Sequence, residues 1–271
     1  MGKVIFEASS LSVSYNNKKI IDDINLSLEE GTLYSALSSN NSGKTTLIKT
    51  LSGIMYSDSG KIYVNGIELC KKNFNDFIIN ISTILEDINN SFICNKVEDE
   101  LKYPLINLGY EEYEISDSFE EVLDIIKISS LLNKNISKLT YYEKVKVLLA
   151  ASIIHHPKIV FIDNILRFLS IKEKKEMIKY FKLICSRLNI CILFVTSDIN
   201  DIIDLDNIYV FDSGKIITSG TYQDLIKNDN ELSKLGFSIP TMIDLSRKLE
   251  FYDLIDDIYY DPDKVVDKLW N

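Results

Sequence analysis

The spacing of hydrophobic residues changes along the first third of the chain. Alternating apolar and polar positions predict strands at residues 4–15 and 20–28, and a continuous apolar run predicts a buried strand at 33–37. A polar cluster follows at 38–44, and beyond it the apolar residues of 47–51 have helical spacing. The region therefore begins with β-structure and then passes from a strand through a polar loop into a helix.

The middle of the chain is helical in pattern, and strands return after it. Residues from about 92 to 149 have mainly helical spacing. Buried strands are then predicted at 159–162, 190–195 and 208–211, with an amphipathic helix at 172–188. Alternation of strands and helices is typical of a mostly parallel sheet covered by helices. The fold class is therefore predicted as α/β.

The end of the chain has a different pattern. A helix is predicted to start at 238–240, with Met242, Leu245, Leu249 and Tyr252 sharing one apolar face. Aromatic residues are interleaved with acidic ones from there to the end of the sequence. We expect a small docked helical extension rather than a disordered acidic tail.

Composition narrows the class of protein. The 271 residues are 46% hydrophobic and 26% charged, which is typical of a folded globular chain. Forty acidic residues against thirty basic ones leave a net charge of −10, which argues against a partner that is a nucleic acid. The apolar runs are shorter than the roughly 20 residues of a membrane-spanning helix. We expect a soluble protein that reaches a membrane only through partners.

Cysteine and histidine give no sign of a metal or redox site in the sequence. Cys70, Cys94, Cys185 and Cys191 lack the spacing of metal ligands, and the N-terminus lacks the apolar region of a signal peptide. We expect reduced, buried thiols in a cytoplasmic protein. The two histidines, at 155–156, precede a proline and are interpreted as a surface turn.

The polar loop after the third strand carries the strongest chemical signal. Its residues Ser42-Gly43-Lys44-Thr45-Thr46 stand between a strand and a helix, the context that a phosphate-binding loop requires. Backbone N–H groups at a helix start bind anions, Lys44 would reach the β- and γ-phosphates, and the Thr45 hydroxyl would ligate Mg²⁺. The alternative is a polar turn with a chance Gly-Lys-Thr, because Ser38 occupies the usual first glycine position.

Further segments give the chain a family resemblance. Tyr15, the loop at 38–46 and the strand ending at Asp163 resemble, in kind and spacing, an ATP-binding cassette (ABC) ATPase. Residues 86–100 are similar to the stretch after the Q-loop in energy-coupling factor transporters of that family. The tail from 235 through Leu269-Trp270 is similar to the C-terminal extension of the same subgroup. The resemblance covers essentially the whole chain.

The resemblance implies an architecture. It is a P-loop NTPase core of ABC ATPase type with an antiparallel β subdomain, an inserted helical subdomain and a small helical C-terminal extension. The ATP-binding domain would span 1–228, its helical subdomain about 92–149, and the extension 229–271. In that family two such subunits face each other head to tail, and each ATP lies between the phosphate loop of one and the signature motif of the other.

The resemblance also implies roles for individual residues. Tyr15 matches the aromatic residue that stacks on adenine, and Asp163 matches the carboxylate that holds Mg²⁺, with Thr45 and Glu86 as further oxygen ligands. The residues expected to bind ATP are Tyr15, Ser38, Ser39, Asn40, Asn41, Ser42, Gly43, Lys44, Thr45 and Thr46. The expected cofactors are ATP and Mg²⁺.

The chain departs from the family pattern at catalytic positions. Asn164 follows Asp163 where the family has a glutamate that polarises the attacking water, and Ser197 stands at the position of the family's histidine. The signature motif is altered as well, so that no catalytic position is intact. Its counterpart here is Leu139, Thr140, Tyr141, Tyr142 and Glu143. Two tyrosines replace glycines that let ATP approach, and Glu143 adds negative charge there.

These observations together predict a degenerate nucleotide-binding subunit of an energy-coupling factor-type transporter. It would bind MgATP but hydrolyse it weakly or not at all, as the non-catalytic half of a heterodimer with a second ABC ATPase subunit. A transmembrane coupling component and a substrate-binding membrane component would hold it at the cytoplasmic face of the membrane. Two alternatives stay open: an active transport ATPase with a substitute base, and a scaffold or regulatory cassette that binds no nucleotide.

Overall fold

The fold is taken from a computed structural model that describes residues 2–16, 18–203, 205–227, 229–237, 240–259 and 262–270. Its strands are β1 (Val4–Tyr15), β2 (Lys18–Glu29), β3 (Leu33–Ser38), β4 (Ser59–Val64), β5 (Ile67–Glu68), β6 (Ile81–Ile84), β7 (Ile159–Asp163), β8 (Cys191–Thr196), β9 (Ile208–Asp212) and β10 (Lys215–Gly220). Its helices are α1 (Lys44–Leu51), α2 (Phe74–Ile78), α3 (Val97–Asn107), α4 (Glu112–Ile126), α5 (Tyr141–Ile153), α6 (Ile171–Leu188), α7 (Tyr222–Lys227), α8 (Asp229–Lys234), α9 (Thr241–Phe251) and α10 (Pro262–Trp270).

The strands form two sheets. The larger has the order β10-β9-β3-β8-β7-β6, and all of its pairs are parallel except β9 with β10. The smaller is antiparallel, with the order β2-β1-β4-β5. Parallel strands with helices on their faces are buried on both sides, and every residue of β7 and β8 is buried accordingly. The predicted α/β architecture is confirmed.

Two hydrophobic clusters hold these layers together. One lies between the sheets and includes Phe6 and Phe161, whose rings meet edge to face at a centroid distance of 5.1 Å. The other packs the helical region and α6 against the opposite face of the large sheet. Leu232, Phe237 and Ile243 of the tail are buried in this second cluster, so the described part of the extension is docked as expected.

The topology decides where a site can form. The carboxyl ends of parallel strands open at one edge of a sheet, and ligands bind in the crevice beyond that edge. Strand β3 ends at Ser38 and β7 ends at Asp163, with β8 between them. The loop after β3 leads directly into α1, whose first residue is Lys44. The predicted phosphate loop and the predicted metal carboxylate therefore share one edge.

Part of the tail differs from the sequence prediction. Helix α9 buries Ile243 and Ser246, whereas Leu245 and Tyr252 are 43% and 70% exposed. The hydroxyl of Ser246 accepts a 2.7 Å hydrogen bond from the Tyr259 backbone N–H, so this polar residue faces inward to satisfy a folded-back turn. Residues 238–239 of the predicted helix start, and residue 228 at the predicted domain boundary, lie outside the described residues.

The predicted surface turn at the two histidines is only half correct. His156 is exposed, but His155 is turned inward and lies 3.4 Å from the Ser82 hydroxyl. Burial lowers the pKa of His155 to about 4, which keeps its imidazole neutral. The prediction of buried thiols is also half correct, because Cys185 and Cys191 are buried while Cys70 and Cys94 are only partly so.

Candidate nucleotide-binding site

The loop between β3 and α1 wraps around the start of the helix. Asn41 and Gly43 adopt left-handed backbone conformations, with φ of 61° and 101°. Asparagine tolerates this region, and glycine is needed at the second position because a Cβ there would lie 3.1 Å from the Ile20 carbonyl oxygen. Ser38 needs no left-handed conformation, since it is the buried last residue of β3 and its hydroxyl contacts that of Ser42. Serine at the usual glycine position is therefore compatible with the loop.

The start of α1 offers unpaired donors to an anion. No side chain caps the helix at Gly43, and its first turn contains no acidic residue. The first backbone N–H groups of a helix have no partner within the helix, and the helix dipole adds partial positive charge there. This end of α1 therefore suits a phosphate group.

The Lys44 side chain is buried against the loop. Its ammonium donates to the backbone carbonyls of Ser39, at 2.6 Å, and Ser38, at 3.5 Å. Burial lowers the pKa of Lys44, and the nearby Asp163 carboxylate opposes that shift. The Ser39 hydroxyl in turn donates to Asp212 Oδ1 at 2.6 Å, which ties the loop to the end of β9. The cation is thus held at the loop by neutral backbone acceptors, which an anionic phosphate could replace.

Thr45 and Asp163 fit a magnesium ion. The Thr45 hydroxyl donates to Asp163 Oδ2 at 2.7 Å. The other carboxylate oxygen, Oδ1, is buried and has no hydrogen-bond partner among the described residues. Burial raises the pKa of this carboxyl, and the Thr45 hydrogen bond and the nearby Lys44 ammonium oppose that shift. Hydroxyl and carboxylate oxygens are ligands that Mg²⁺ prefers, so the donor set suits that ion.

Glu86 and Asn164 meet beside this pair. The Asn164 side-chain amide donates to Glu86 Oε1 at 2.9 Å, and Arg167 donates to the same oxygen at 3.3 Å. Asn164 is buried and has a left-handed backbone with φ of 51°, which turns the chain sharply after β7. The amide is thus used as a donor toward a carboxylate.

Two adjoining clefts contain these groups. The first, of about 740 Å³, is lined by Lys18, Lys19, Ile20, Asn40, Asn41, Ser42, Gly43, Lys44, Thr45, Thr46, Glu86, Asn164, Arg167 and Ser213. The second, of about 540 Å³, is lined by Thr45, Lys49, Leu85, Glu86, Asp87, Ile88, Asn89, Tyr141, Asp163, Arg167 and Phe168. The structure therefore brings most of the predicted loop and metal residues together.

Several predicted site residues line neither cleft: Tyr15, Ser38, Ser39 and Ser197, together with Leu139, Thr140, Tyr142 and Glu143 of the signature segment. Tyr15 is 72% exposed at the end of β1, and Ser197 follows β8 outside both clefts. Beside Ser197, Asp198 accepts from Lys174 at 2.7 Å, so that turn is fixed by an ion pair of its own. A serine side chain is too short to bridge the distance that a histidine at this backbone position would cover.

The altered signature segment forms the start of α5. Leu139 is buried, Thr140 caps the helix, and Glu143 reaches back to the Thr140 backbone N–H at 2.9 Å. Glu143 also pairs with Lys134 at 3.0 Å, and these contacts lower the pKa of its carboxyl. The negative charge predicted to repel a nucleotide is therefore partly compensated within the chain.

The two tyrosines of this segment pack in different directions. The Tyr141 hydroxyl donates to the Ile165 carbonyl at 3.1 Å, and its ring meets that of Phe168 edge to face. The Tyr142 ring lies 5.6 Å from the Lys146 ammonium, which also faces the Tyr180 ring. Tyr141 therefore extends toward the second cleft, while Tyr142 packs against α6.

Sequence reasoning missed several cleft residues. Arg167 follows Asn164 in the turn after β7, and Lys18 and Lys19 begin β2 on the opposite wall. Arg167 carried a usable signal, since it is a cation just after the strand that ends in Asp163. Lys18 and Lys19 carried none, because only the packing of the small sheet over the loop brings them there.

Comparison with known proteins gives the family. A model of the ABC transporter family matches residues 21–167, more than half of the chain. Two similar relatives are the energy-coupling factor transporter ATP-binding proteins EcfA1 of Streptococcus thermophilus (strain CNRZ 1066) and Ligilactobacillus salivarius (strain UCC118). Each is 26% identical to this chain and matches 98% of it. The match covers 98% of the Streptococcus thermophilus protein and 95% of the Ligilactobacillus salivarius protein.

Solved structures confirm the fold. The structure of cbiO1 from Clostridium perfringens, part of the ABC transporter complex cbiONQ, has a TM-score of 0.76 and 24% identity, over 86% of this chain and 94% of that one. The ADP conformation of MJ1267, an ATP-binding cassette of an ABC transporter, has a TM-score of 0.73 and 19% identity. The match covers 86% of this chain and 98% of MJ1267. With the phosphate loop, the Thr45–Asp163 pair and the family match in agreement, the chain belongs to the ABC transporter family.

Proposed function

We propose that this chain is the ATP-binding subunit of an energy-coupling factor-type transporter and that its own site binds MgATP but hydrolyses it poorly. Residues 1–228 form the ATP-binding domain and 229–271 the extension. The chain is the non-catalytic half of a heterodimer with a second ABC ATPase subunit. A transmembrane coupling component and a substrate-binding membrane component hold it at the cytoplasmic face.

Similarity to the EcfA1 proteins over nearly the whole of both chains supports this assignment. None of the described helices is long and apolar enough to cross a membrane.

The observation that carries nucleotide binding is the unpartnered Oδ1 of Asp163 beside the Thr45 hydroxyl. A buried carboxylate oxygen without a partner is costly, and an electropositive ligand removes that cost. Thr45, Asp163 and Glu86 would hold Mg²⁺, which supplies charge neutralisation between the β- and γ-phosphates. The loop amides and Lys44 would bind the phosphates themselves.

Weak hydrolysis follows from the contacts of Asn164. An amide accepts no proton, and this one donates to Glu86 Oε1, so it neither activates nor orients a water as a carboxylate would. Ser197 lines neither cleft. A positioned general base contributes about 10²- to 10⁴-fold to a rate, so its loss leaves little turnover.

A second candidate function has one observation in its favour. The Glu86 carboxylate lies within hydrogen-bond distance of the Asn164 amide, close to where a glutamate at position 164 would place its own carboxylate. Glu86 could then act as the substitute base of an active ATPase. Turnover that Glu86→Gln abolishes would establish this second candidate and reject the degenerate one.

Calorimetry of the isolated chain with MgATP tests the proposal. We expect binding by the unaltered chain and a loss of about tenfold or more with Lys44→Ala, because a charge-assisted phosphate contact is removed. Lys179→Ala is the control, since this exposed lysine of α6 lies outside both clefts. Absence of heat for the unaltered chain would instead support a scaffold or regulatory cassette that binds no nucleotide.

A further inference from the structure

Arg167 lines the clefts but is not among the residues predicted to form the site. It lies in the turn directly after β7 and lines both clefts, as Thr45 and Glu86 also do. The Thr45–Asp163 pair marks the end of the cleft where a magnesium ion would sit. A magnesium ion held there would neutralise charge on the terminal phosphates of a nucleotide, so Arg167 lines the part of the clefts where we expect the terminal phosphate of a triphosphate.

The contacts of Arg167 are weak enough to be exchanged. Its guanidinium donates to Glu86 Oε1 at 3.3 Å and lies 5.3 Å from the Phe168 ring. Both members of the ion pair are solvent-accessible, with side-chain exposures of 53% and 39%. Exposed ion pairs of this kind contribute little to stability, so a better acceptor displaces them easily. The Phe168 contact keeps the guanidinium beside the clefts while its partner changes.

The charges around Arg167 favour a phosphate over Glu86. Glu86 Oε1 already accepts from the Asn164 amide, so it keeps a donor if Arg167 leaves. The Lys44 ammonium is engaged by two loop carbonyls, although it lies near enough to Asp163 to influence the pKa of that carboxyl. Of the three described residues that line both clefts, Thr45, Glu86 and Arg167, Arg167 is the cation. A planar guanidinium can donate to two oxygens of a phosphate at once. In this structure it donates to a single oxygen of Glu86, which also accepts from the Asn164 amide.

We propose that Arg167 distinguishes nucleoside triphosphates from diphosphates in this chain's own site: Glu86 holds it beside the clefts, and the terminal phosphate takes it from Glu86. This inference rests on the proposed nucleotide binding and deepens it. The neutral Asn164 is part of the arrangement, because a glutamate at that position would compete with the phosphate for Arg167. The site is then built to detect the terminal phosphate rather than to cleave it.

The test is a titration of the isolated chain with MgATP and with MgADP by calorimetry. We expect Arg167→Ala to weaken MgATP binding by about tenfold to a hundredfold and to change MgADP binding less than about threefold, since a charge-assisted phosphate bond is lost only with the triphosphate. Arg167→Lys should recover part of the loss, because it keeps the charge but not the two-pronged geometry.

Arg187→Ala is the matched control. Arg187 is also half exposed, at 55%, and pairs with a carboxylate, Asp124, at 3.0 Å, but it lies on α6 outside both clefts. We expect it to leave both affinities unchanged. Equal losses of MgATP and MgADP binding with Arg167→Ala, or no loss of either, would overturn the inference.

A double-mutant cycle separates the pair from general electrostatics. Glu86→Gln should strengthen ATP binding measured without magnesium, because it releases Arg167 and removes a negative charge. That gain should be smaller in the Arg167→Ala background, and equal gains would overturn the exchange of partners. Failure of the unaltered chain to bind either nucleotide would reject the proposed function and this inference together, whereas intact MgADP binding with an unaffected Arg167→Ala variant rejects this inference alone.

Discussion

The Thr45 hydroxyl and Asp163 Oδ2 are joined by a 2.7 Å hydrogen bond across 118 positions of sequence. Thr45 lies in the first turn of α1, and Asp163 is the last residue of β7. The pairing depends on the parallel strand order, which opens the ends of β3 and β7 at the same edge. It is the contact that turns two separate sequence signals into one site.

The pH dependence of stability should show the energetic cost of burying Asp163 Oδ1 without a hydrogen-bond partner. Burial raises the pKa of this carboxyl above its usual 3.8, so the folded chain holds a proton there more tightly than the unfolded chain. The free energy of unfolding therefore falls as the pH rises through the folded-state pKa. Without nucleotide, we expect Asp163→Asn to be more stable than the unaltered chain near about pH 7, with the difference shrinking toward about pH 4.

Urea unfolding at the two pH values measures this difference. Asp206→Asn is the control, because Asp206 is exposed. The same Asp163→Asn variant should lose the strengthening of ATP binding by magnesium. A variant that is less stable at neutral pH, and whose ATP binding still responds to magnesium, would contradict the assignment of Asp163.

Restoring the catalytic residues should restore turnover only when Glu86 is changed as well. Asn164→Glu alone would set a second carboxylate within hydrogen-bond distance of Glu86, and two such groups resist ionising together. Adding Glu86→Gln removes the repulsion, and Ser197→His supplies the missing imidazole. We expect the triple variant, assembled with the proposed partner subunit, to release phosphate at least about 10²-fold faster than the unaltered complex.

The single Asn164→Glu variant is expected to gain much less. Adding Lys44→Ala to the triple variant should remove the gain, which ties the turnover to this chain's own loop. A triple variant no faster than the unaltered complex would mean that another base already serves the site.

Tyr141 should be both a structural contact and an obstacle. Tyr141→Phe loses the hydrogen bond to the Ile165 carbonyl but keeps the ring on Phe168, so we expect a loss of about 0.5 to 1.5 kcal/mol in the free energy of unfolding. Replacing Tyr141 and Tyr142 together with glycine removes both rings and should cost more.

The same double replacement tests the steric role predicted for the signature segment. If the tyrosines keep a nucleotide of the proposed partner subunit away from the start of α5, the glycine variant should raise the ATPase rate of the proposed complex despite its lower stability. Phosphate release should be measured at a temperature where the variant remains folded, as monitored by circular dichroism. An unchanged rate would show that the tyrosines are structural only.

His155 should make the fold sensitive to mild acid. Burial, with a smaller contribution from His156, lowers the pKa of His155 to about 4 from the usual 6.5. The unfolded chain therefore takes up a proton more readily, and stability that is present above about pH 6.5 is lost as the pH falls toward about 4. We expect His155→Gln to reduce this loss in urea unfolding, and the exposed His156→Gln to leave most of it. Equal slopes for both variants would show that other groups cause the acid sensitivity.

The parts of the site that sequence predicted are those set by local patterns. A glycine and an asparagine that adopt left-handed backbones, a lysine at a helix start and a carboxylate at a strand end all carry their signal within a few residues. The α/β architecture followed in the same way from alternating strands and helices. Each of these features is fixed by backbone geometry or by burial of a single element.

The parts that sequence missed depend on contacts between distant segments. Lys18 and Lys19 reach the cleft only because the small sheet packs beside the loop. The face of α9 was predicted wrongly because Ser246 is turned inward by the Tyr259 backbone amide, a demand that no hydrophobic period shows. His155 and His156 are adjacent, yet one faces inward and the other is exposed, and the backbone turns at His156 with a positive φ of 54° that the sequence pattern does not show.

The hydrogen bond from Ser39 to Asp212 has a mechanical consequence. Asp212 ends β9, and the β9–β10 hairpin leads through α7 into the C-terminal helices. The Gly214 backbone N–H, at the tip of that hairpin, also donates to the Ser42 carbonyl at 3.3 Å. The β9–β10 hairpin is therefore hydrogen-bonded to the loop at two points. A ligand that displaces Ser39 or Ser42 would also act on the hairpin from which the C-terminal helices continue.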